Sequence, residues 1–265
     1  MFIISERING MFTAVKKAIA ARDAAAIGEL ARRQLAAGAD ALDLNVGTAS
    51  ADPAETMAWL AGSVRAAGDA VLCLDHPNIE VIRAGARAAG GELIINSTTG
   101  KEEDLARFLP LALETGAGLI ALTLDEKGVP NTAEGRVEIA ARIVLAAEAA
   151  GLPPGRLFID PVTLPINVAQ DQPKKLLEAI AQFKLISDPP PRVVIGLSNL
   201  ASGASEKSLL TGAFLAMAMA AGLDAVILDP EDRLLMDLLI TGEVLLDRSV
   251  YNRDYLKAWR SGRER

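Results

Sequence analysis

Eight short apolar runs recur along the chain. They are FIIS (2–5), ALDLNV (41–46), AVLCLD (70–75), ELIIN (92–96), GLIALTL (118–124), RLFID (156–160), RVVIGLSN (192–199) and DAVILD (224–229). Each is short, rich in Val, Ile and Leu, and nearly continuous in its hydrophobicity, which is the pattern of a strand covered on both faces. Between them lie Ala-rich stretches with helical apolar spacing: AIGELARRQLAAG (26–38), AETMAWLAGSVRAAG (54–68), DLARFLPLALETG (104–116) and VEIAARIVLAAEAAG (137–151). Several end in Gly, which suits a left-handed helix stop. Eight buried strands alternating with eight helical segments predict an α/β fold, a (β/α)8 TIM barrel, as one domain over residues 1–265. A doubly wound sheet is the alternative. The turn after its first strand would carry G-x-G-x-x-G, and ERINGMF (6–12) does not.

The polar residues of the runs gather at their ends. Glu6, Arg7 and Asn9 follow the first run, Asp43 and Asn45 sit within the second, and Asp75, Asn96, Asp160, Asn199 and Asp229 end later ones; Thr123 and Asp125 stand near the end of the fifth. Any one of these residue types also suits a helix N-cap in a strand-to-helix turn. As a set they have a second reading, because the strand ends of such a barrel converge on one mouth. Asp43 and Asn45 alternate with Leu42 and Leu44, so both point to one face, which a barrel turns inward.

Composition narrows the chemistry. The chain has 265 residues, 51% of them apolar, and a net charge of −7 with no basic stripe, which disfavours nucleic acid. MFIISERING lacks a basic n-region before a long apolar stretch, and the longest apolar run, 214–223, is too short to span a bilayer; a soluble cytoplasmic protein is expected. One Cys and one His exclude an internal disulfide, a Cys/His zinc site and an iron–sulfur cluster. No G-x-S-x-G elbow is present to recruit His76 for nucleophilic catalysis. His76 precedes Pro77 and reads as a turn or helix-start residue. Cys73 reads as a buried structural thiol, and Trp59 and Trp259 as packing residues.

A pocket of carboxylates and carboxamides with few cations does not suit a phosphate. Mg²⁺ held by carboxylates remains open. Alternating Asp and Asn better match a neutral heterocycle with a mixed hydrogen-bonding edge: Asp accepts from ring N–H and amino groups, and Asn both donates and accepts. A pterin has that edge.

Seven stretches stand in order along nearly the whole chain: SERINGMF (5–12), ALDLNVG (41–47), LCLDHPNIEVIRAG (72–85), IINST (94–98), FIDPVTLPINVAQD (158–171), GLSN (196–199) and FLAMAMAAGLDAVILD (214–229). Together they resemble the pterin-binding methyltransferases, most closely the methyltetrahydrofolate:corrinoid/iron–sulfur protein methyltransferases. The folate domain of cobalamin-dependent methionine synthase and dihydropteroate synthase are related. The resemblance implies transfer of the methyl group of 5-methyltetrahydrofolate to Co(I) of a corrinoid on a partner protein, most directly the corrinoid iron–sulfur protein of acetyl-CoA synthesis (the Wood–Ljungdahl pathway). It implies that Asp75, Asn96 and Asp160 grip the pterin edge and that Asn199 sits by the methyl-bearing nitrogen. Gly196, Leu197 and Ser198 would line the pterin's side, and Asp43 and Asn45 complete the floor. Asn199, Asp43 and Asp75 form the expected catalytic set, with the two acids in a network that supplies a proton to the leaving nitrogen. A homodimer is implied, and no metal in this chain.

The rivals differ in testable features. A methyltransferase serving a demethylase's corrinoid protein would share this barrel and differ in partner. Dihydropteroate synthase ends its seventh strand in a Ser-Arg-Lys type sequence and binds pyrophosphate with cations; here the chain reads SNLASGAS (198–205). The homocysteine half of methionine synthase needs a Cys-held zinc that one Cys cannot supply. No D-x-H-x-x-G corrinoid motif is present, since the single His follows Asp75 directly. Lys207 stands where the family often carries an Arg for the folate tail, and offers a point charge without a fork. A non-catalytic folate store is the remaining reading.

Overall fold

The computed structural model describes residues 1–47 and 50–250. Eight strands, β1 (Phe2–Asn9), β2 (Ala41–Asn45), β3 (Val71–Asp75), β4 (Leu93–Thr99), β5 (Gly118–Leu122), β6 (Leu157–Asp160), β7 (Arg192–Gly196) and β8 (Ala225–Leu228), close in sequence order into one barrel. All eight neighbour pairings are parallel, β8 pairing back to β1. The barrel expected from the alternation is therefore the fold.

Nine helices flank it among the described residues, one more than the alternation predicts. Two, α1 (Thr13–Ala20) and α2 (Ala24–Ala36), connect β1 to β2. The others are α3 (Pro53–Ala67), α4 (Ile79–Ala89), α5 (Glu102–Thr115), α6 (Ala133–Ala150), α7 (Gln172–Phe183), α8 (Lys207–Ala221) and α9 (Arg233–Leu245). Their starts follow local chemistry: Asp23, Asp52, Asn78, Thr132 and Asp232 each accept a main-chain N–H of the first turn, as N-caps do. Two strands differ from expectation. β1 continues to Asn9 through a bulge between Ser5 and Ile8, because main-chain pairing with β2 outlasts the apolar run. β7 stops at Gly196, and Leu197–Ala201 form a 3-10 turn.

The pleat sorts each strand into two cores. Residues facing outward, such as Leu42, Leu44, Leu72, Leu74, Ile95 and Val193, pack with the helices. Residues facing inward form a separate cluster of Ile4, Ala41, Cys73, Ile94, Ile120, Phe158, Val194 and Ala225. At the N-terminal end of the barrel the rings of Phe2 and Phe158 lie 6.3 Å apart, and the Arg192 guanidinium stands 5.3 Å from the Phe158 ring. The interior is thus filled from below, and only its upper end is free to hold a ligand. Cys73 is fully buried there. Trp59 packs at the margin of the outer core, with Arg22 5.0 Å from its ring; Trp259 lies outside the described residues.

Two glycines fix the mouth's edge. Gly10 and Gly47 bring the loops after β1 and β2 into backbone contact, and a Cβ on Gly10 would sit 2.4 Å from the Val46 carbonyl oxygen. Gly47 also has a φ of 70°, a conformation glycine adopts without the cost a side chain brings.

Candidate active site

One pleat above the inward apolar cluster, the same face turns polar. Ile4 is followed two residues on by Glu6, Ala41 by Asp43 and then Asn45, Cys73 by Asp75, Ile94 by Asn96, Phe158 by Asp160 and Val194 by Gly196. The period of two sends all of them into the mouth at the strands' C-terminal ends. Register completes the arrangement: Asn45 pairs with Asp75, and Asp75 with Asn96.

Each carboxamide on this wall is tied to a carboxylate. Asn45 Nδ2 donates to Asp75 Oδ2 at 2.7 Å, while Asn45 Oδ1 accepts the Gly47 N–H at 2.7 Å. Asn96 Nδ2 donates to Asp43 Oδ1 at 3.0 Å. Asn45 is therefore engaged at both ends of its amide and acts as an orienting strut for Asp75. Asn96 keeps its carbonyl oxygen for another partner. His76 belongs to the turn: its N–H donates to the Asn96 carbonyl at 3.0 Å, and its Nδ1 accepts from the Asn78 N–H at 3.0 Å.

Burial sets the charge of these acids. Asp43 is only 3% exposed. Loss of solvent, with the Asp75 carboxylate beside it, pushes its pKa well above the ordinary range despite hydrogen bonds from Asn96 and Cys73. Burial also raises Asp75, against the opposing hydrogen bond from Asn45 and the neighbouring His76. The Cys73 thiol is raised by burial and by Asp43, which leaves it an inert core group.

Asp160, on β6, forms the opposite wall. Its burial lifts its pKa to about 7, although the Val162 N–H and the Arg136 guanidinium both favour the anion. Its Oδ1 accepts the Val162 N–H at 2.7 Å. Val162 holds a φ of 64°, strained for a β-branched residue and fixed by its surroundings. Beneath this loop lies Arg136 of α6, wholly buried. Its Nε donates to the Pro161 carbonyl at 2.7 Å and its Nη2 to Gln172 Oε1 at 2.8 Å. Thr123 donates both its N–H and its hydroxyl to the Asp160 carbonyl, at 2.8 and 3.1 Å. Asp125 lies away from this arrangement, with its carboxylate 2.8 Å from Arg142.

The 3-10 turn after β7 forms the rim. Ser198 and Asn199 are exposed there. A Cβ on Gly196 would come within 2.9 Å of Asn199 Nδ2, so glycine leaves the space over which the Asn199 side chain folds back. Leu197 departs from expectation: its side chain is fully buried in the outer core, so it cannot line the mouth with that side chain. The reason is the pleat: Val194 and Gly196 face inward, so Leu197, like Val193 and Ile195, faces outward. Lys207 is exposed at the first position of α8. Across the mouth, Glu6 accepts a hydrogen bond from the Ser198 hydroxyl, and Arg7 Nε lies 3.3 Å from Asp229 Oδ2.

No group of three or more His, Cys, Asp or Glu disposed to hold a metal ion is found among the described residues. Among them, too, no helix is long and apolar enough to cross a membrane.

Residues 13–229 match the family described as pterin binding enzyme. The chain belongs to that family. It is 32% identical over 267 residues to a methylcorrinoid:tetrahydrofolate methyltransferase of Eubacterium limosum, spanning 99% of this chain and 97% of that one. It is 31% identical over 240 residues to a methionine synthase of Mycobacterium leprae, covering 86% of this chain and 20% of that much longer protein. Solved dihydropteroate synthases share the fold: one from Yersinia pestis superposes with a TM-score of 0.66 at 14% identity, over 93% of this chain and 94% of that one. Another, from Thermus thermophilus, does so with 0.63 at 19%, over 83% and 88%.

Within this pterin-binding barrel, three residues were left without a site role by sequence reasoning. Glu6 is visible as a strand end, but nothing in the sequence pairs it with Ser198. Asp229 is visible in the same way, and its Arg7 partner is not. Arg136 stands in a helical pattern like any surface Arg, and only the tertiary structure places it under Asp160.

Proposed function

We propose that the protein is a methyltransferase that moves a methyl group between N5 of tetrahydrofolate and the cobalt of a corrinoid carried by a separate protein. The observation that carries this reading is the row of acids and carboxamides on the inward face of consecutive strands, with Asn199 on the rim above it. The Eubacterium limosum relative, matched over 99% of this chain, supports the reaction class by its name.

The pterin edge is complementary to the walls. Asp75 and Asp160 meet the amino group and ring nitrogens, and the free carbonyl oxygen of Asn96 accepts from an N–H. With a pKa of about 7, Asp160 presents either a carboxylate or an O–H at neutral pH, so it can match either form of a ring nitrogen. Asn45 and Asp43 hold Asp75 and Asn96 in place from below. Gly196 and Ser198 flank the ring, and Lys207 offers one positive charge toward the folate tail.

Asn199 addresses the reacting nitrogen. As the methyl leaves for Co(I), the C–N electron pair stays on nitrogen and needs a proton, and the Co(I) pair forms the new cobalt–carbon bond. The Asn199 carbonyl accepts a hydrogen bond from the protonated nitrogen and so stabilises the form that can lose its methyl. Asp43 and Asp75 belong to the network that keeps protons available. No protein nucleophile is required, and the chain contributes position and electrostatics.

The relative's name runs from methylcorrinoid to tetrahydrofolate. The same site catalyses both directions of one reaction. That order favours a corrinoid protein that arrives already methylated, as one serving a demethylase would, over the corrinoid iron–sulfur protein, which receives the methyl group. A cytoplasmic homodimer is the state the family resemblance implies.

The test is anaerobic mixing of the protein with methyltetrahydrofolate and free cob(I)alamin, followed by Co(I) absorption, and the reverse with methylcobalamin and tetrahydrofolate. Loss of Co(I) with gain of methylcobalamin supports the reading. Failure to bind methyltetrahydrofolate by calorimetry overturns it.

A further inference from the structure

Among the described residues, Glu6 is the inward-facing acid of the mouth that is hydrogen-bonded to the turn carrying Asn199. Its Oε1 accepts the Ser198 hydroxyl across 192 positions of sequence, and Ser198 precedes Asn199 directly. The groups facing Glu6 are Ser198 from the rim, Asp229 beyond the end of β8, Asp43 of β2, and Arg7 of its own strand. Arg7 is drawn aside: its Nε lies 3.3 Å from Asp229, and its guanidinium stands 4.4 Å over the Phe12 ring. Glu6 thus faces a hydroxyl and two carboxyls, with its nearest cation directed elsewhere.

We propose that Glu6 holds the proton exchanged with the methyl-bearing nitrogen and passes it through the Ser198 hydroxyl. This rests on the methyl-transfer reading above and names the group that balances it. Burial raises the Glu6 pKa, with Asp229 adding to the effect and Ser198 and Arg7 opposing it. Asp43 is hydrogen-bonded to Asn96, Asp75 to Asn45 and Asp160 to the Val162 N–H, and none of these bonds reaches the turn that carries Asn199.

When Glu6 is ionised, Ser198 donates to it. When Glu6 carries a proton it donates to Ser198 Oγ, and the serine O–H turns outward. In transfer from folate to cobalt, the N–CH3 bond breaks with its pair left on nitrogen. That nitrogen takes the serine proton, directly or through one water, and the serine is refilled from Glu6, which is left as carboxylate. In the opposite direction the carboxylate receives the proton that the secondary amine loses. Because Glu6 acts through Ser198, it is a positioning residue.

The experiment measures single-turnover methyl transfer to free cob(I)alamin from pH 5 to 8.5, with methyltetrahydrofolate affinity by calorimetry at each pH. The proteins are full-length wild type, Glu6→Gln, Glu6→Asp and Ser198→Ala. Gln keeps a hydrogen bond to Ser198, so a purely structural role survives in it. Glu6→Gln is expected to lower the rate about 100-fold, to lose one titration from the pH profile, and to leave affinity within about threefold. Ser198→Ala should reproduce the loss of that titration, and Glu6→Asp should retain it at a shifted pH. A Glu6→Gln profile parallel to wild type, or a rate loss matched by weakened binding, overturns this inference alone. A wild type that transfers no methyl overturns the reading beneath it as well.

Discussion

Replacing Asp160 with Asn isolates the cost of burying that carboxyl. Asp160 is 8% exposed, and its pKa is about 7 against an ordinary 3.8. Below pH 3.8 the group is protonated folded and unfolded, and its burial costs nothing in charge. As pH rises from there toward 7, the unfolded chain ionises while the folded one holds its proton, so stability falls; above 7 the loss is constant. At ~1.36 kcal/mol for each factor of ten, the full loss is roughly 4 kcal/mol, reached near pH 8. At pH 5 it is under about 2 kcal/mol. Asn keeps an oxygen to accept the Val162 N–H and carries no charge. The stability of Asp160→Asn relative to wild type is therefore expected to rise by about 2–3 kcal/mol between pH 5 and pH 8. Urea unfolding followed by circular dichroism at both pH values measures it. Pterin affinity should fall in the same variant, because Asn places an N–H2 where Asp160 offers an acceptor. A stability difference that stays constant between the two pH values refutes the argument that burial, rather than a binding partner, controls this carboxyl.

Asn199→Ala should slow methyl transfer about 100–1,000-fold while changing methyltetrahydrofolate affinity little; normal binding with full-rate transfer would show that Asn199 has no part in the chemistry. Gly196→Ala should lower the rate by displacing the Asn199 side chain that its Cβ would meet at 2.9 Å. In an Asn199→Ala background it should then cost little more, and a fully additive double variant contradicts the steric link. Arg136→Ala removes the donors to Pro161 and Gln172 and should destabilise the fold by about 2–4 kcal/mol, read from the urea midpoint. It should also raise the pKa of Asp160, whose anion Arg136 favours, seen as a shift of the carboxyl ¹³C titration toward higher pH.

The eight strands were legible because a parallel barrel strand is covered on both faces and its composition records that. The limits of the reading are physical. Ser5, Glu6 and Arg7 break the apolar run, yet β1 continues through them because its pairing with β2 is made by main-chain groups. Leu197 reads as a residue beside the pterin, but it falls on the outward parity of β7 with Val193 and Ile195, and its side chain is buried against the helices. The step from β1 to β2 holds two helices because the chain turns between Ala20 and Ala24, with Arg22 at a φ of 53° and Asp23 capping the second helix. Asp75, Asn96 and Asp160 were legible as mouth residues from period and position, while a pterin-binding role for them is implied by the family resemblance alone. That Asn45 serves Asp75, and Asn96 serves Asp43, was not.

The sequence by itself determined the strand order, the inward polar row and, with one Cys and one His, the exclusion of an internal disulfide, a Cys/His zinc site and an iron–sulfur cluster. Those depend on residue type and on a period of two, both local. Which polar groups touch depended on barrel closure: it fixes register across neighbouring strands and brings Glu6, near the N-terminus, against Ser198, near the end of β7. The protonation of the acids was decided the same way. The carboxyl of Asp43 or Asp160 is ordinary chemistry until the surrounding strands remove its water, and only the folded barrel does that.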